Sequence, residues 1–302
     1  MRPICIAIIL GLLSAPRLTH STPRNVTKTS RTKISEWDKI EPKTVHFMSD
    51  DGKTRLVGYL WLPGGGGRHP AVVMMHGRHG AYSSLAHGVY DAKTLTKRHK
   101  MWGEFWAERG YIALHVDGFG PRGYPAGFAK GTYSDRPEEL NEVTIRPYDA
   151  YGALRYLRTR SDVAGDRIGL QGWSNGASAT LSTMARNTPG MKDPTVETGF
   201  RAALAFYPGC GLQDHYKKVY RTYAPVLLAI GTDDEEVSPK LCQVLNETGR
   251  RDGDQIEFVL YSGAEHDFDD PGAKKQSVAA NRKAKEDSMR RAEAFFARYL
   301  KP

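Results

Sequence analysis

Ser174 stands in Gly172-Trp173-Ser174-Asn175-Gly176, a G-x-S-x-G pattern. A serine hydroxyl is a weak nucleophile and attacks a carbonyl only with a general base beside it and a carboxylate to orient that base. The two glycines suit a tight, strained turn from strand to helix, because neither brings a Cβ into the crowded elbow. A helix starting there adds free N–H groups and the positive end of a dipole where an oxyanion would develop. The chemistry this predicts is acyl transfer through a covalent intermediate.

After such an elbow the triad partners follow in the order acid, then histidine. Downstream of Ser174 the histidines are His215, in a polar segment, and His266, in a loop just after the apolar run Ile256–Leu260. His266 is the expected base. The acid should follow the preceding strand, where Gly231 is succeeded by Asp233, Asp234, Glu235 and Glu236. Asp234, third after the glycine, is the expected acid with Asp233 as the alternative; Glu235 and Glu236 read as solvated. An oxyanion needs two backbone N–H groups: Asn175 supplies one, and Arg78 in His76-Gly77-Arg78-His79-Gly80, by its position after a strand, the other. His76 and His79 lack a third ligand at a recognisable spacing, so no metal site is expected.

The elements that must hold these groups alternate. Thr44–Met48 and Arg55–Leu62 read as two strands split by the turn 49–52. Ala71–Met75, Tyr111–Val116, Arg167–Gln171, Ala202–Phe206, Val226–Ile230 and Ile256–Leu260 follow as short, nearly non-alternating apolar strands. Helical patterns fall at Trp102–Arg109, Tyr148–Arg158, Ala177–Ala185, Pro239–Glu247 and from Lys274 to the end. Strands of this kind separated by helices predict a parallel sheet covered on both faces. With an antiparallel start, the expectation is an α/β-hydrolase fold: a mostly parallel, doubly wound sheet in a single domain over residues 43–302.

The chain has 302 residues, 40% of them apolar and 25% charged, which excludes disordered and fibrous classes. Mean hydropathy of −0.52 and one short apolar run exclude a polytopic membrane protein. The formal charge is +9, but much of it lies at 274–301, where nine Lys or Arg face three acids on an amphipathic helix. That is a solvated helix face, and no nucleic-acid partner is expected. Met1-Arg2-Pro3 followed by the apolar stretch Ile4–Leu13 reads as a signal peptide over residues 1–21, too short to span ~30 Å of hydrocarbon. Cleavage after Ala15 or near Ser21 would leave a flexible lead-in over 22–42 and a secreted or periplasmic protein without stable membrane insertion. Cys5 would leave with the signal. The remaining Cys210 and Cys242 each follow one of two neighbouring parallel strands, so a disulfide between them is expected.

His76-Gly77…Gly80, Asp117-Gly118-Phe119-Gly120-Pro121-Arg122-Gly123, Asp149-Ala150-Tyr151…Leu157, Gly172–Gly176, Phe206–Cys210 and Gly263–Phe268 together resemble the dienelactone hydrolase family, most closely its exported branch. Dienelactone hydrolase itself uses a cysteine nucleophile, so Ser174 is a departure that favours ordinary ester chemistry. The resemblance implies hydrolysis of small carboxylic esters or lactones, without a cofactor. It also implies that Arg122 holds a substrate carboxylate; the other reading is an arginine paired with Asp117 or a nearby loop carbonyl. Two further functions fit the pattern less well: a prolyl-oligopeptidase-type peptidase, and a non-catalytic binding protein on this scaffold.

Overall fold

The runs Ile112–Asp117, Ala202–Phe206 and Val226–Gly231 are buried along their whole length, as strands covered on both faces must be. The computed structural model describes residue 1 and residues 41–214, 220–251 and 253–301. The expected signal peptide after Met1, nearly all of the 22–42 lead-in and His215 lie outside the described residues.

The strands are β1 (Lys43–Met48), β2 (Arg55–Trp61), β3 (His69–Met75), β4 (Ile112–Asp117), β5 (Val163–Trp173), β6 (Ala202–Phe206), β7 (Val226–Gly231) and β8 (Ile256–Tyr261). They form one sheet in the order β1-β2-β4-β3-β5-β6-β7-β8. β2 runs antiparallel to β1 and β4, and every other pairing is parallel. The fold is that of the α/β-hydrolases, as the sequence predicts. β3 sits between β4 and β5, so the chain crosses sides there; the carboxyl edge at such a switch point is where open α/β sheets bind ligands.

The helices are α1 (Lys97–Glu108), α2 (Arg146–Arg158), α3 (Asn175–Met184), α4 (Pro239–Arg251), α5 (Ala273–Gln276) and α6 (Ala279–Leu300). α1 starts five residues before the predicted Trp102. Thr96 caps it by accepting the His99 N–H, and the polar run Lys97–Lys100 hides the start because Arg98 and His99 point inward and are buried. α6 carries the basic face on an apolar seam: Ala292, Phe296 and Leu300 are buried, and Phe296 fills the space left by Gly169 in β5, where a Cβ would stand 2.7 Å from its ring. Among the described residues no helix is long and apolar enough to cross a membrane. Cys210, after β6, and Cys242, in α4, have Cα atoms 5.0 Å apart and their sulfurs joined.

Candidate active site

Ser174 follows β5 and caps α3 with φ 53° and ψ −121°, a positive φ that costs a non-glycine residue about 1–3 kcal/mol. The surroundings hold it there. Ser174 N–H donates to Phe206 O at 2.9 Å, and its carbonyl accepts from Ser178 N–H at 2.9 Å. A Cβ on Gly172 would lie 2.2 Å from Gly176 O, and one on Gly176 would lie 2.1 Å from Met75 O. The elbow therefore closes only with glycine at both positions, which is the physical content of the motif.

His266 Nε2 is 2.9 Å from Ser174 Oγ, and its Nδ1 is 2.8 and 3.0 Å from the two oxygens of Asp234. The structure thus brings together the three residues singled out from the sequence. Of the two candidate acids, Asp234 faces the imidazole; Asp233 is exposed and accepts from Thr232 Oγ1. Asp234 is itself fixed by the backbone N–H groups of Glu236 and Val237, at 3.0 and 2.9 Å. Burial alone would lower the His266 pKa. The Asp234 hydrogen bond and the nearby carboxylates of Asp267 and Glu236 outweigh it, so the pKa is raised above its ordinary value.

Arg78 and His79 are the central residues of a turn closed by Gly80 N–H donating to Gly77 O at 3.1 Å. Gly77 lies against Ser174: a Cβ there would stand 3.3 Å from Ser174 Cβ. This brings the backbone of Arg78 to the same edge as that of Asn175, the first residue of α3. The Arg78 side chain turns to Glu236, with Nε–Oε2 at 2.8 Å and Nη2–Oε1 at 2.6 Å. Glu236 and Glu235, expected to be solvated, are both engaged: Glu235 Oε2 accepts the His266 N–H at 3.0 Å. A run of four acids carries no signal of which side chains turn inward.

Arg122 is placed differently from the expectation of a substrate-binding residue. Residues Gly120–Arg122 form a short 3-10 turn ended by Gly123 at φ 89°. That turn sends the guanidinium back to Gly118 O at 2.7 Å and to both oxygens of Asp149 at 2.7 and 2.8 Å. Its donors go to a loop carbonyl and an α2 carboxylate rather than to Asp117, and the side chain does not line the cavity at Ser174. That cavity, of about 310 Å³, is lined among others by Ser174, Asn175, Arg78, Tyr133, Arg136 and Glu142.

A buried network behind the site had no counterpart in the sequence reading. Arg98 from α1 donates to Tyr207 Oη at 2.6 Å and to Asp267, the residue after His266. Tyr207 donates to Asp269, which also accepts from Trp102 at 2.7 Å and from Trp173, the neighbour of Ser174, at 2.9 Å. The Tyr207 ring stands edge-on to the His266 ring, with centroids 4.8 Å apart. Burial alone would raise the Asp267 pKa, but the Arg98 guanidinium and His266 hold it well below the usual carboxylate range. Of the two histidines considered as a metal pair, His76 Nε2 accepts from Gly118 N–H and His79 Nε2 meets Arg78 Nη1.

Residues 56–300 match the family model described as the dienelactone hydrolase family. The chain belongs to the dienelactone hydrolase family. As a member it is a carboxylic ester hydrolase. A Bradyrhizobium relative assigned as a 2-oxo-3-(5-oxofuran-2-ylidene)propanoate lactonase is 25% identical over 223 residues, covering 73% of this chain and 82% of the relative. A dienelactone hydrolase-like promiscuous phosphotriesterase, P91, from metagenomic libraries superposes with a TM-score of 0.63 at 19% identity, over 86% of this chain and 98% of that one. Esterase 2 of Thermogutta terrifontis, phosphorylated by paraoxon, does so with a TM-score of 0.62 at 18% identity, over 88% and 97%. The two structures share the fold with this family member.

Proposed function

We propose that this dienelactone hydrolase family protein is a serine hydrolase that cleaves small carboxylic esters or lactones through an acyl-enzyme. The observation that carries the reading is the continuous contact from Ser174 Oγ to His266 Nε2 and from His266 Nδ1 to Asp234. Ser174 Oγ attacks the carbonyl carbon while its proton passes to His266 Nε2, and Asp234 stabilises the imidazolium. The backbone N–H groups of Arg78 and Asn175 receive the oxyanion. Collapse expels the alcohol, which takes the proton from His266. Water, deprotonated by the same imidazole, then releases the acid and restores Ser174.

The cavity wall adds a preference. Arg136 stands in the wall with Ser174, its guanidinium over the Tyr133 ring at 4.9 Å, which suits a substrate carrying an acidic group beside the scissile bond. The apolar stretch at residues 4–13, read as part of a signal peptide, and the joined Cys210 and Cys242 support export to an oxidising compartment.

The test is a panel of p-nitrophenyl esters, lactones and peptide p-nitroanilides, run with wild type and Ser174→Ala, alongside labelling by a fluorophosphonate. Ester or lactone turnover that Ser174→Ala abolishes, with label on Ser174, is the expected result. Faster turnover of anilides would make the protein a peptidase, and an unlabelled, inert wild type would make it a binding protein.

A further inference from the structure

Arg146, the first residue of α2, is completely buried, yet its Nε and Nη2 have no hydrogen-bond partner. A guanidinium held this way is costly, and an apolar side chain would fill the volume at less expense. Its one engaged nitrogen explains its presence. Nη1 donates at 2.9 Å to the carbonyl of His76 and at 2.7 Å to Oδ1 of Asn175. The first acceptor lies two residues before Arg78 on the β3 loop; the second belongs to the residue after the nucleophile. These are the two segments whose backbone N–H groups are assigned to the oxyanion. Asn175 Nδ2 passes the contact on to Glu142 Oε2 at 2.9 Å, and Glu142 Oε1 accepts from Tyr133 at 2.8 Å, so the chain of bonds ends in the wall of the substrate cavity.

We propose that Arg146 is a positioning residue for the oxyanion hole, one nitrogen setting the spacing between its two halves. The proposal rests on the serine-hydrolase reading of the site. Burial lowers the Arg146 pKa to about 10, so the group stays charged at neutral pH and remains a donor. Arg146 touches neither His266 nor Asp234, so its loss should leave proton transfer in place and act only where charge develops on the carbonyl oxygen. A donor displaced by a fraction of an ångström weakens transition-state binding and leaves ground-state binding alone.

The experiment uses p-nitrophenyl acetate with wild type, Arg146→Lys, Asn175→Ala and the double variant. Expected for Arg146→Lys is a kcat lower by about 10²-fold with KM within about threefold. The inhibition constant of phenylboronic acid, a tetrahedral mimic, should weaken in the same proportion, and the acidic limb of the pH profile should stay in place. Asn175→Ala keeps the backbone N–H and cuts the link from its other end, so it should lower kcat in the same way. The double variant should be little worse than the poorer single one. Should Arg146→Lys fail to fold, Asn175→Ala decides alone. A kcat within about twofold of wild type, a KM or pH limb that moves with kcat, or additive losses in the double variant would each overturn the proposal. A wild type inert toward the ester and unlabelled by a fluorophosphonate overturns instead the reading beneath it, and the proposal with it.

Discussion

Glu236 Oε2 lies 3.7 Å from His266 Nε2, the nitrogen that also meets Ser174 Oγ. A carboxylate there favours the imidazolium, and with Asp234 and Asp267 it accounts for the raised His266 pKa. In the proposed mechanism the neutral imidazole is the general base, so kcat/KM should fall as pH drops through a pKa above the ordinary 6.5 or so for histidine. Glu236→Gln removes one anion and should move this acidic limb to lower pH. A limb that stays put, measured on one ester between pH 5 and 9, would show that Glu236 does not act on His266.

The same sign rules apply to stability. His76, His99 and His115 are fully buried, and burial lowers each pKa, helped by Arg146 at His76, by Arg98 at His99 and by the His99 ring at His115. Below about pH 6.5 the unfolded chain binds protons that the folded chain refuses, so these groups make stability fall as pH falls. His266, with its raised pKa, contributes in the opposite direction, a stability present below that pH and lost as pH rises through its folded pKa. His115 has both ring nitrogens buried without partners, and its ring is tilted against that of His99 with centroids 4.1 Å apart. His115→Phe should therefore flatten the acid fall-off of the unfolding free energy, followed through the urea midpoint, by up to about 1.4 kcal/mol per pH unit. A variant whose midpoint tracks wild type from pH 7.5 to 5 would show that His115 does not titrate on unfolding.

What the sequence showed and what it hid follow from range. Gly172 and Gly176 flank Ser174 because a Cβ on Gly172 would meet Gly176 O and one on Gly176 would meet Met75 O at the end of β3, so a five-residue motif carries the signal although half of its cause lies on a neighbouring strand. His266 and Asp234 were legible because each follows an apolar strand whose place in the sheet is set by the fold. Arg98 and Asp267 are 169 residues apart, and nothing near either announces the other. Arg122 shows the same limit. The family resemblance implies a ligand contact there, but the side chain's direction depends on Asp149 in α2, 27 residues on.

The Cys210–Cys242 link ties the loop after β6, where Gly209 lines the cavity, to α4, which follows the Asp234 loop. Its partners are 32 residues apart, and closing such a loop contributes about 3–4 kcal/mol in the chain-entropy model. Cys210→Ser with Cys242→Ser should lower stability by that order, read from the urea midpoint, with a smaller loss of kcat at low temperature. Two titratable thiols in the unreduced, denatured protein purified from an oxidising compartment would contradict the link.

Anion selection should reside in Arg136 rather than Arg122. The Arg122 donors are spent on Gly118 O and Asp149, and its side chain is buried. Arg136 is half-buried, flanked by the rings of Tyr133 and Phe128 at 4.9 and 5.9 Å, and stands in the cavity wall with Ser174. The two rings limit its rotamers, which reduces the entropy lost when it grips a ligand. A charge-assisted hydrogen bond contributes about 1.5–3 kcal/mol, and partial exposure lowers that toward a tenfold effect. Arg136→Gln should raise KM for a monoaryl succinate by about tenfold and leave that for the matching aryl butyrate nearly unchanged. Arg122→Lys should weaken turnover of both esters alike and lower the melting temperature, because Asp149 would keep its burial and lose its bidentate partner. Equal losses on the two esters from Arg136→Gln would mean that Arg136 only packs the wall.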